Sequence, residues 1–149
     1  MRADQFAPLD PETAEAWRPF LKWKDRTYFP NVVGLEIEEI RTDYCRMRLP
    51  FRPELNQPAG VVHGGALATL IDTVVVPAIG QAYELSRVYL TIGMNITYLG
   101  AVVEEDAVAE GWVEQRGRSI VFCSAEVVGA SSGKLAAQGS LTYKVNKPG

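Results

Sequence analysis

The sequence predicts an α+β protein in which a mostly antiparallel, curved sheet wraps around one long central helix. Three observations predict this. One long apolar stretch covers residues 64–83, apolar and polar residues alternate on both sides of it, and two strands before it are segregated from four after it. Strands kept apart from a helix favour an antiparallel sheet over a βαβ arrangement. Wrapping that sheet around an apolar helix buries the helix and the inner face of the sheet together.

The elements follow in order. Asp10-Pro11-Glu12 reads as a helix start, with an N-cap, a proline at the first position and an acid behind it. Residues 11–25 then form one helix or two short ones, because Pro19 interrupts the run. Val33, Leu35 and Ile37 alternate with Gly34, Glu36 and Glu38, as in a half-buried strand. Arg41-Thr42-Asp43 is a turn, and Cys45, Met47 and Leu49 alternate with Arg46 and Arg48 in the second strand. Residues 50–60 contain Pro50, Pro53, Pro58, Asn56 and Gly60 and read as a loop.

The helix over 64–83 is apolar nearly all round, which implies burial on most sides. Pro77 and Gly80 predict a kink or an early end. Beyond it, Val88, Leu90, Ile92, Met94, Ile96 and Tyr98 are expected on one face of a strand. Tyr89, Thr91, Gly93, Asn95 and Thr97 are expected on the other. Strands near 105–116 and 119–129 meet at Arg116-Gly117-Arg118, and a last strand near 135–146 follows Ser131-Ser132-Gly133-Lys134. No repeat or linker divides the 149 residues, so 1–149 is expected to be a single domain with residues 1–30 as a helical extension.

Composition narrows the function. Charged residues make up 22% and apolar residues 47%, as in an ordinary globular protein, and a net charge of −3 offers a nucleic acid no basic footprint. Cys45 and Cys123 are far apart at apolar positions and read as buried free thiols, which fits a reducing, cytoplasmic setting. With one histidine and two dispersed cysteines, no metal-ligand cluster is expected. The N-terminus lacks the apolar run of a signal peptide. The 64–83 stretch is long enough to span a bilayer but carries Asp72 in its middle, so a buried helix of a soluble protein is expected and no membrane partner.

Asp72 is the only formal charge between His63 and Glu84, set among Leu67, Leu70, Ile71, Val74, Val75 and Val76. A carboxylate there is costly unless it is hydrogen-bonded or retained for chemistry. Two readings stand: a structural carboxylate bonded to a neighbouring strand or at the helix's open edge, or a functional group. His63-Gly64-Gly65 opens the same helix. The first N–H groups of a helix lack internal partners and sit at its positive end, and glycines let a ligand carbonyl approach them. Such donors suit an oxyanion, though a turn required only by packing, with His63 as cap, fits as well. Asp72 lies eight residues past Gly64, about 12 Å along the helix. That is far for one chain's donor and carboxylate to share one carbonyl. A second, antiparallel copy across a two-fold axis would bring Gly64 of one chain to Asp72 of the other, twice.

The run Asn56-Gln57-Pro58-Ala59-Gly60-Val61-Val62-His63-Gly64-Gly65-Ala66-Leu67-Ala68-Thr69-Leu70-Ile71-Asp72 resembles the signature of hotdog-fold acyl-CoA thioesterases. The matching branch is that of the phenylacetate-pathway (PaaI-like) enzymes. The resemblance extends from about residue 30 to 146 and includes Met94 to Leu99, Gly117-Arg118-Ser119, Gly133-Lys134-Leu135 and Ala137-Gln138-Gly139. It implies a hotdog fold and hydrolysis of an acyl-CoA, aryl or short to medium in chain, to free acid and CoA. Asp72 would be general base or nucleophile, the Gly64 N–H would polarise the thioester carbonyl, and His63 would position that carbonyl or the leaving thiolate. Gln57, six residues before His63, stands where the family places an Asn or Gln that contacts substrate or water; Asn56 beside it competes for that role. Thr91, four residues before Asn95, matches a water-orienting hydroxyl or is an ordinary strand threonine. Gly65, Asn95 and Ser119 join Asn56 among the substrate- and CoA-binding residues. Arg116, Arg118 and Lys134 at hairpin tips could meet the CoA phosphates, with Arg118 the preferred choice.

No separate cofactor is implied, since CoA belongs to the substrate. A homodimer with shared active sites is expected, and the family often pairs dimers into homotetramers. Three rival readings are a non-catalytic acyl-CoA binding or sensing domain, a hotdog dehydratase or hydratase, and a structural assembly protein. Trp17, Phe20 and Trp23 could cover the acyl pocket or complete the core, and the core is the simpler assignment.

Overall fold

The computed structural model describes residues 2–83 and 85–147, with residues 23–25 described through their backbone alone. The elements are α1 (Pro11–Trp17), α2 (Phe29–Val33), β1 (Glu36–Arg41), β2 (Tyr44–Leu49), α3 (Gly64–Gly80), β3 (Val88–Tyr98), β4 (Ala107–Arg116), β5 (Ile120–Gly129) and β6 (Leu135–Asn146). Short 3-10 turns cover Phe20–Asp25 and Pro53–Leu55. The six strands form one sheet in the order β1-β2-β4-β5-β6-β3, and every neighbouring pair is antiparallel.

Asp10 caps α1 as expected: its carboxylate accepts the Thr13 N–H at 2.9 Å. Pro19 separates α1 from the following 3-10 turn. The first strand starts later than the alternation predicts. Residues 29–33 form a helical turn with Pro30 near its start, and Gly34 ends it in the left-handed conformation at φ 96°. The Arg52 guanidinium donates to the Val33 and Val32 carbonyls at 2.6 and 2.8 Å, so the end of α2 is tied to the loop before α3.

α3 packs against the concave face of the sheet, and Leu67, Leu70, Ile71, Val74, Val75, Ala78 and Ile79 are buried. Two glycines let the sheet come close. A β-carbon on Gly111 would sit 2.8 Å from Val74 Cγ1, and one on Gly139 would sit 2.8 Å from Ile71 Cγ2. The helix ends at Gly80, within a turn of Pro77. Its surroundings differ from the sequence expectation in one respect. A stripe through Ala68, Thr69, Asp72 and Val76 is only half-buried, and the helix's single charge lies on it. No helix among the described residues is long and apolar enough to cross a membrane.

The strict alternation predicted for β3 is broken by a bulge. Thr91 pairs with Tyr143 and Gly93 with Thr142, so Ile92 has no partner and the faces exchange at that point. Tyr89 and Thr91 therefore lie on the same side as Met94, Ile96 and Tyr98, facing α3, whereas Val88 and Leu90 turn away from it. β3 is also an edge strand, and its apolar residues Val88, Leu90, Ile92, Met94 and Tyr98 are all exposed.

Residues 2–8 run across the convex side of the sheet. Pro8 bridges to Arg41, the Phe6 ring stacks on Tyr44 at 5.1 Å, and the Arg2 guanidinium sits 3.7 Å above Trp112.

Candidate active site

Asp72 stands on the half-buried stripe of α3, opposite the start of β3 and the end of β6. Its Oδ1 accepts two hydroxyl hydrogen bonds, from Thr91 at 2.7 Å and from Tyr143 at 2.6 Å. The Tyr143 hydroxyl is also 2.6 Å from the Asp72 carbonyl and divides its one proton between the two acceptors. Oδ2 has no hydrogen-bond partner among the described residues. The carboxylate is thus both anchored and open, so the structural and functional readings of Asp72 are compatible. Burial, reinforced by the neighbouring carboxylate, pushes the Tyr143 hydroxyl far above the usual tyrosine range, and it remains a donor at any physiological pH.

Tyr143 is the site residue that sequence reasoning missed. It follows Leu141 and precedes Val145 on the inward side of β6, and a buried tyrosine hydroxyl at such a position requires a polar partner. That requirement was the available signal. Thr91, expected either to orient water or to be an ordinary strand threonine, donates its hydroxyl to Asp72.

A pocket of about 400 Å³ opens beside Asp72. Ala68, Thr69, Asp72, Thr73 and Val76 supply its helix wall, Tyr89, Thr91, Met94 and Tyr143 its sheet wall, and Phe20, Phe29 and Pro30 its third side. The expectation that the Trp17–Trp23 region simply completes the core holds for Trp17, which is 1% exposed. Phe20 instead faces the pocket. The side chain of Trp23 lies outside the described residues.

The other predicted residues gather at the start of α3. His63 caps the helix, its Nδ1 accepting the Gly65 N–H at 2.8 Å, which places the ring proton of the neutral form on Nε2. The Gly65 N–H is therefore occupied, whereas the Gly64 N–H has no partner among the described residues. Gly64 is held from the other side: Tyr98 donates to its carbonyl at 2.7 Å, and a β-carbon there would sit 3.1 Å from the Tyr98 ring. Gln57 folds onto its own loop, its Oε1 accepting the Ala59 N–H at 2.6 Å. The neighbouring Asn56 has a buried Oδ1 with no hydrogen-bond partner among the described residues.

Three predicted residues stand apart from this cluster. Asn95 lies beyond the bulge and lines the convex side of the sheet with Thr97, Ser124 and Ser140. Arg118 is exposed at the β4–β5 tip, and Ser119 beside it accepts the Val145 N–H through its carbonyl at 2.8 Å. Arg116, the other cation at that tip, is committed elsewhere: it donates to Asp43 at 2.6 Å and to the Ala78 carbonyl at 3.0 Å, closing the C-terminal end of α3. No group of side chains suited to hold a metal ion occurs among the described residues.

The Thioesterase superfamily model matches residues 59–136, a span from the loop before α3 to the start of β6. The chain belongs to this superfamily of thioester hydrolases. Human acyl-coenzyme A thioesterase 13 is 33% identical over 99 residues, covering 66% of this chain and 69% of the relative. Among solved structures, zebrafish thioesterase superfamily member 2 is 26% identical with a TM-score of 0.75, over 93% of this chain and 99% of that one. The PaaI protein of the Escherichia coli phenylacetic acid degradation operon shares the fold at a TM-score of 0.77 and 16% identity, over 89% and 94% of the two chains. The six-stranded antiparallel sheet around α3 is the hotdog fold.

Proposed function

We propose that the protein hydrolyses acyl-CoA thioesters, with Asp72 as the catalytic carboxylate. The observation that carries the reading is the anchored Asp72, one oxygen held by Thr91 and Tyr143 and the other without a partner among the described residues, beside a pocket. The family supplies the reaction class, since the human relative is named for acyl-CoA. A carboxylate oxygen that receives two hydroxyl donors is fixed in direction, which suits a base or nucleophile.

The working unit is a homodimer built on β3. An 11-residue edge strand with exposed apolar side chains invites antiparallel pairing with a second copy. Tyr98, bonded to Gly64, lies towards one end of β3, and Thr91, bonded to Asp72, lies towards the other. Antiparallel pairing about the strand's middle sets the Gly64 end of one protomer against the Asp72 end of its partner. The free Gly64 N–H then polarises the thioester carbonyl that the partner's carboxylate serves, and two equivalent sites result. Association of two such dimers into a homotetramer accords with the reading.

In this site Asp72 takes a proton from water as the water attacks the thioester carbon, and negative charge gathers on the carbonyl oxygen beside Gly64. The C–S bond breaks, and the CoA thiolate leaves and is protonated. Direct attack by Asp72, giving an anhydride that water then opens, uses the same groups. Label in the Asp72 carboxylate after a single turnover in ¹⁸O-water would mark the second route, since it requires water to attack the Asp72 carbonyl carbon of the anhydride and release the substrate acid. His63 presents its Nε2 proton to the carbonyl or thiolate, and Gln57 and Asn56 line the approach. Arg118 at the β4–β5 tip meets the CoA phosphates. Buried thiols at Cys45 and Cys123 fit a reducing, cytoplasmic setting.

The test is CoA release from aryl- and alkanoyl-CoA esters by the native protein and by Asp72→Ala. Turnover of some ester, lost by roughly 10²–10⁴-fold in a folded Asp72→Ala protein, supports the reading. Tight binding of CoA esters without turnover would replace it with a binding or sensing role.

A further inference from the structure

Phe20 and Phe29 belong to the N-terminal segment, for which the fold itself gives no catalytic need. Both line the pocket that holds Asp72, together with Pro30, Val76, Tyr89 and Met94. The segment is not draped loosely there. Asn31 ties its two parts together: its side-chain oxygen accepts the Tyr28 N–H at 2.9 Å, and its side-chain nitrogen donates to the Leu21 carbonyl. Arg52 anchors the end of α2 through two carbonyls. Behind Phe20 stands Trp17, with ring centroids 5.6 Å apart, and Trp17 meets Tyr89 at 6.3 Å. Trp17 also fills the space over Gly80, where a β-carbon would fall 2.1 Å from its ring.

The aromatic cluster therefore stands at the Val76 end of the pocket. Asp72 and Val76 both line it, one helical turn apart, or about 6 Å along α3. Beyond Val76 the helix is covered by the Trp17–Phe20–Tyr89 cluster. An acyl group whose carbonyl lies at Asp72 has about one turn of α3 to extend along before it meets aromatic rings. A phenyl ring or a short alkyl chain fits that reach, and a long straight chain does not.

We propose that Phe20, Phe29 and Pro30 form the wall that sets acyl-group size, and that the substrates are CoA esters of compact apolar acids, aryl or short-chain. Phe20 stands at the inner end and Phe29, 64% exposed, flanks the mouth. This rests on the thioesterase reading above and adds the substrate class to it. Each methylene pressed against that wall costs roughly 10–200-fold in discrimination, so the limit should be sharp.

The experiment is a kcat/KM profile over benzoyl-, phenylacetyl-, butanoyl-, octanoyl- and dodecanoyl-CoA for the native protein, Phe20→Ala and Phe29→Ala. The native protein is expected to favour the compact esters over dodecanoyl-CoA by at least about tenfold. Phe20→Ala should shrink or invert that ratio by a similar factor, chiefly through KM. Phe29→Ala, at an exposed position where folding is not at stake, should weaken binding of every ester while keeping the order of preference. A native preference for dodecanoyl-CoA, or an unchanged profile in a folded Phe20→Ala protein, overturns the inference and leaves the thioesterase reading intact. Absence of turnover on every ester removes the thioesterase reading, and the inference falls with it.

Discussion

Replacing Tyr143 by Phe tests the anchored carboxylate directly. The side chain is 3% exposed, and the change removes one oxygen while keeping the ring, so packing is almost unaltered. What is lost is the donor 2.6 Å from Asp72 Oδ1. A hydrogen bond to a charged group contributes ~1.5–3 kcal/mol. In a domain of this size that corresponds to a melting point lower by ~3–12 °C. If the same energy positions Asp72 for reaction, kcat falls ~10–100-fold, a decade for each 1.4 kcal/mol. The assay is CoA release together with calorimetry, repeated in an Asp72→Ala background. Tyr143→Phe should add little to the kinetic loss there, because the group it positions is gone. An equal kinetic loss in both backgrounds, or none in the native one, would refute the positioning role.

Three further expectations follow from the geometry. Gly111→Ala drives a methyl into Val74 and Val75 and should destabilise the protein by ~1–3 kcal/mol, read from a denaturant midpoint, with kcat per folded molecule nearly preserved. Arg116→Ala and Arg118→Ala should separate cleanly. The first lowers stability by removing the tie between Asp43 and the end of α3; the second raises KM for CoA esters and leaves the melting point within about 1 °C, as surface changes usually do. Stability should fall at both ends of the pH range. Phe51's N–H and the Arg48 guanidinium hold the Asp106 carboxyl below its ordinary value of 3.8 despite some desolvation. A depressed folded-state value means stability present above about pH 4 and lost as pH falls through the folded value. Burial raises the Cys123 thiol from 9.0 to about 12, and Cys45 and Tyr143 move the same way. Those groups contribute stability that is complete below about pH 9 and lost as pH rises towards the folded values, which thermal melts across the pH range would show.

Much of the fold was legible because its signals are periodic. The inward residues of β2 and β5 alternate throughout, those of β6 do so from Ala137 to Val145, and α3 carries a long apolar run between glycines. Three features were not legible. Val33 and Gly34 continue the alternation of β1 by coincidence, while Pro30 and a left-handed Gly34 make that segment a helical turn. Arg116 looks like a surface cation at a hairpin tip, yet only tertiary packing brings Asp43 and the Ala78 carbonyl to it. The contact between Phe20 and the pocket joins residues more than fifty positions from Asp72, and no local pattern encodes it. At the site, Asp72 and Gly64 stood out because a lone charge and a pair of glycines break the helix's composition. Tyr143 did not, since a tyrosine in an inward strand position reads as core.

The bulge at Ile92 bears on how relatives of this chain are compared. Thr91 and Asn95 are four residues apart, and in an unbroken strand they would share a face. Here they lie on opposite faces because one residue between them is left out of the ladder with β6. A relative without that extra residue would present the position three before its asparagine, not four, to the helix. An ungapped alignment through β3 would then assign the hydroxyl that anchors the carboxylate to a side chain on the other side of the sheet. Substitutions at position 91 are best compared between relatives only after strand pairing with β6 has been established, with Tyr143 as the fixed point opposite it.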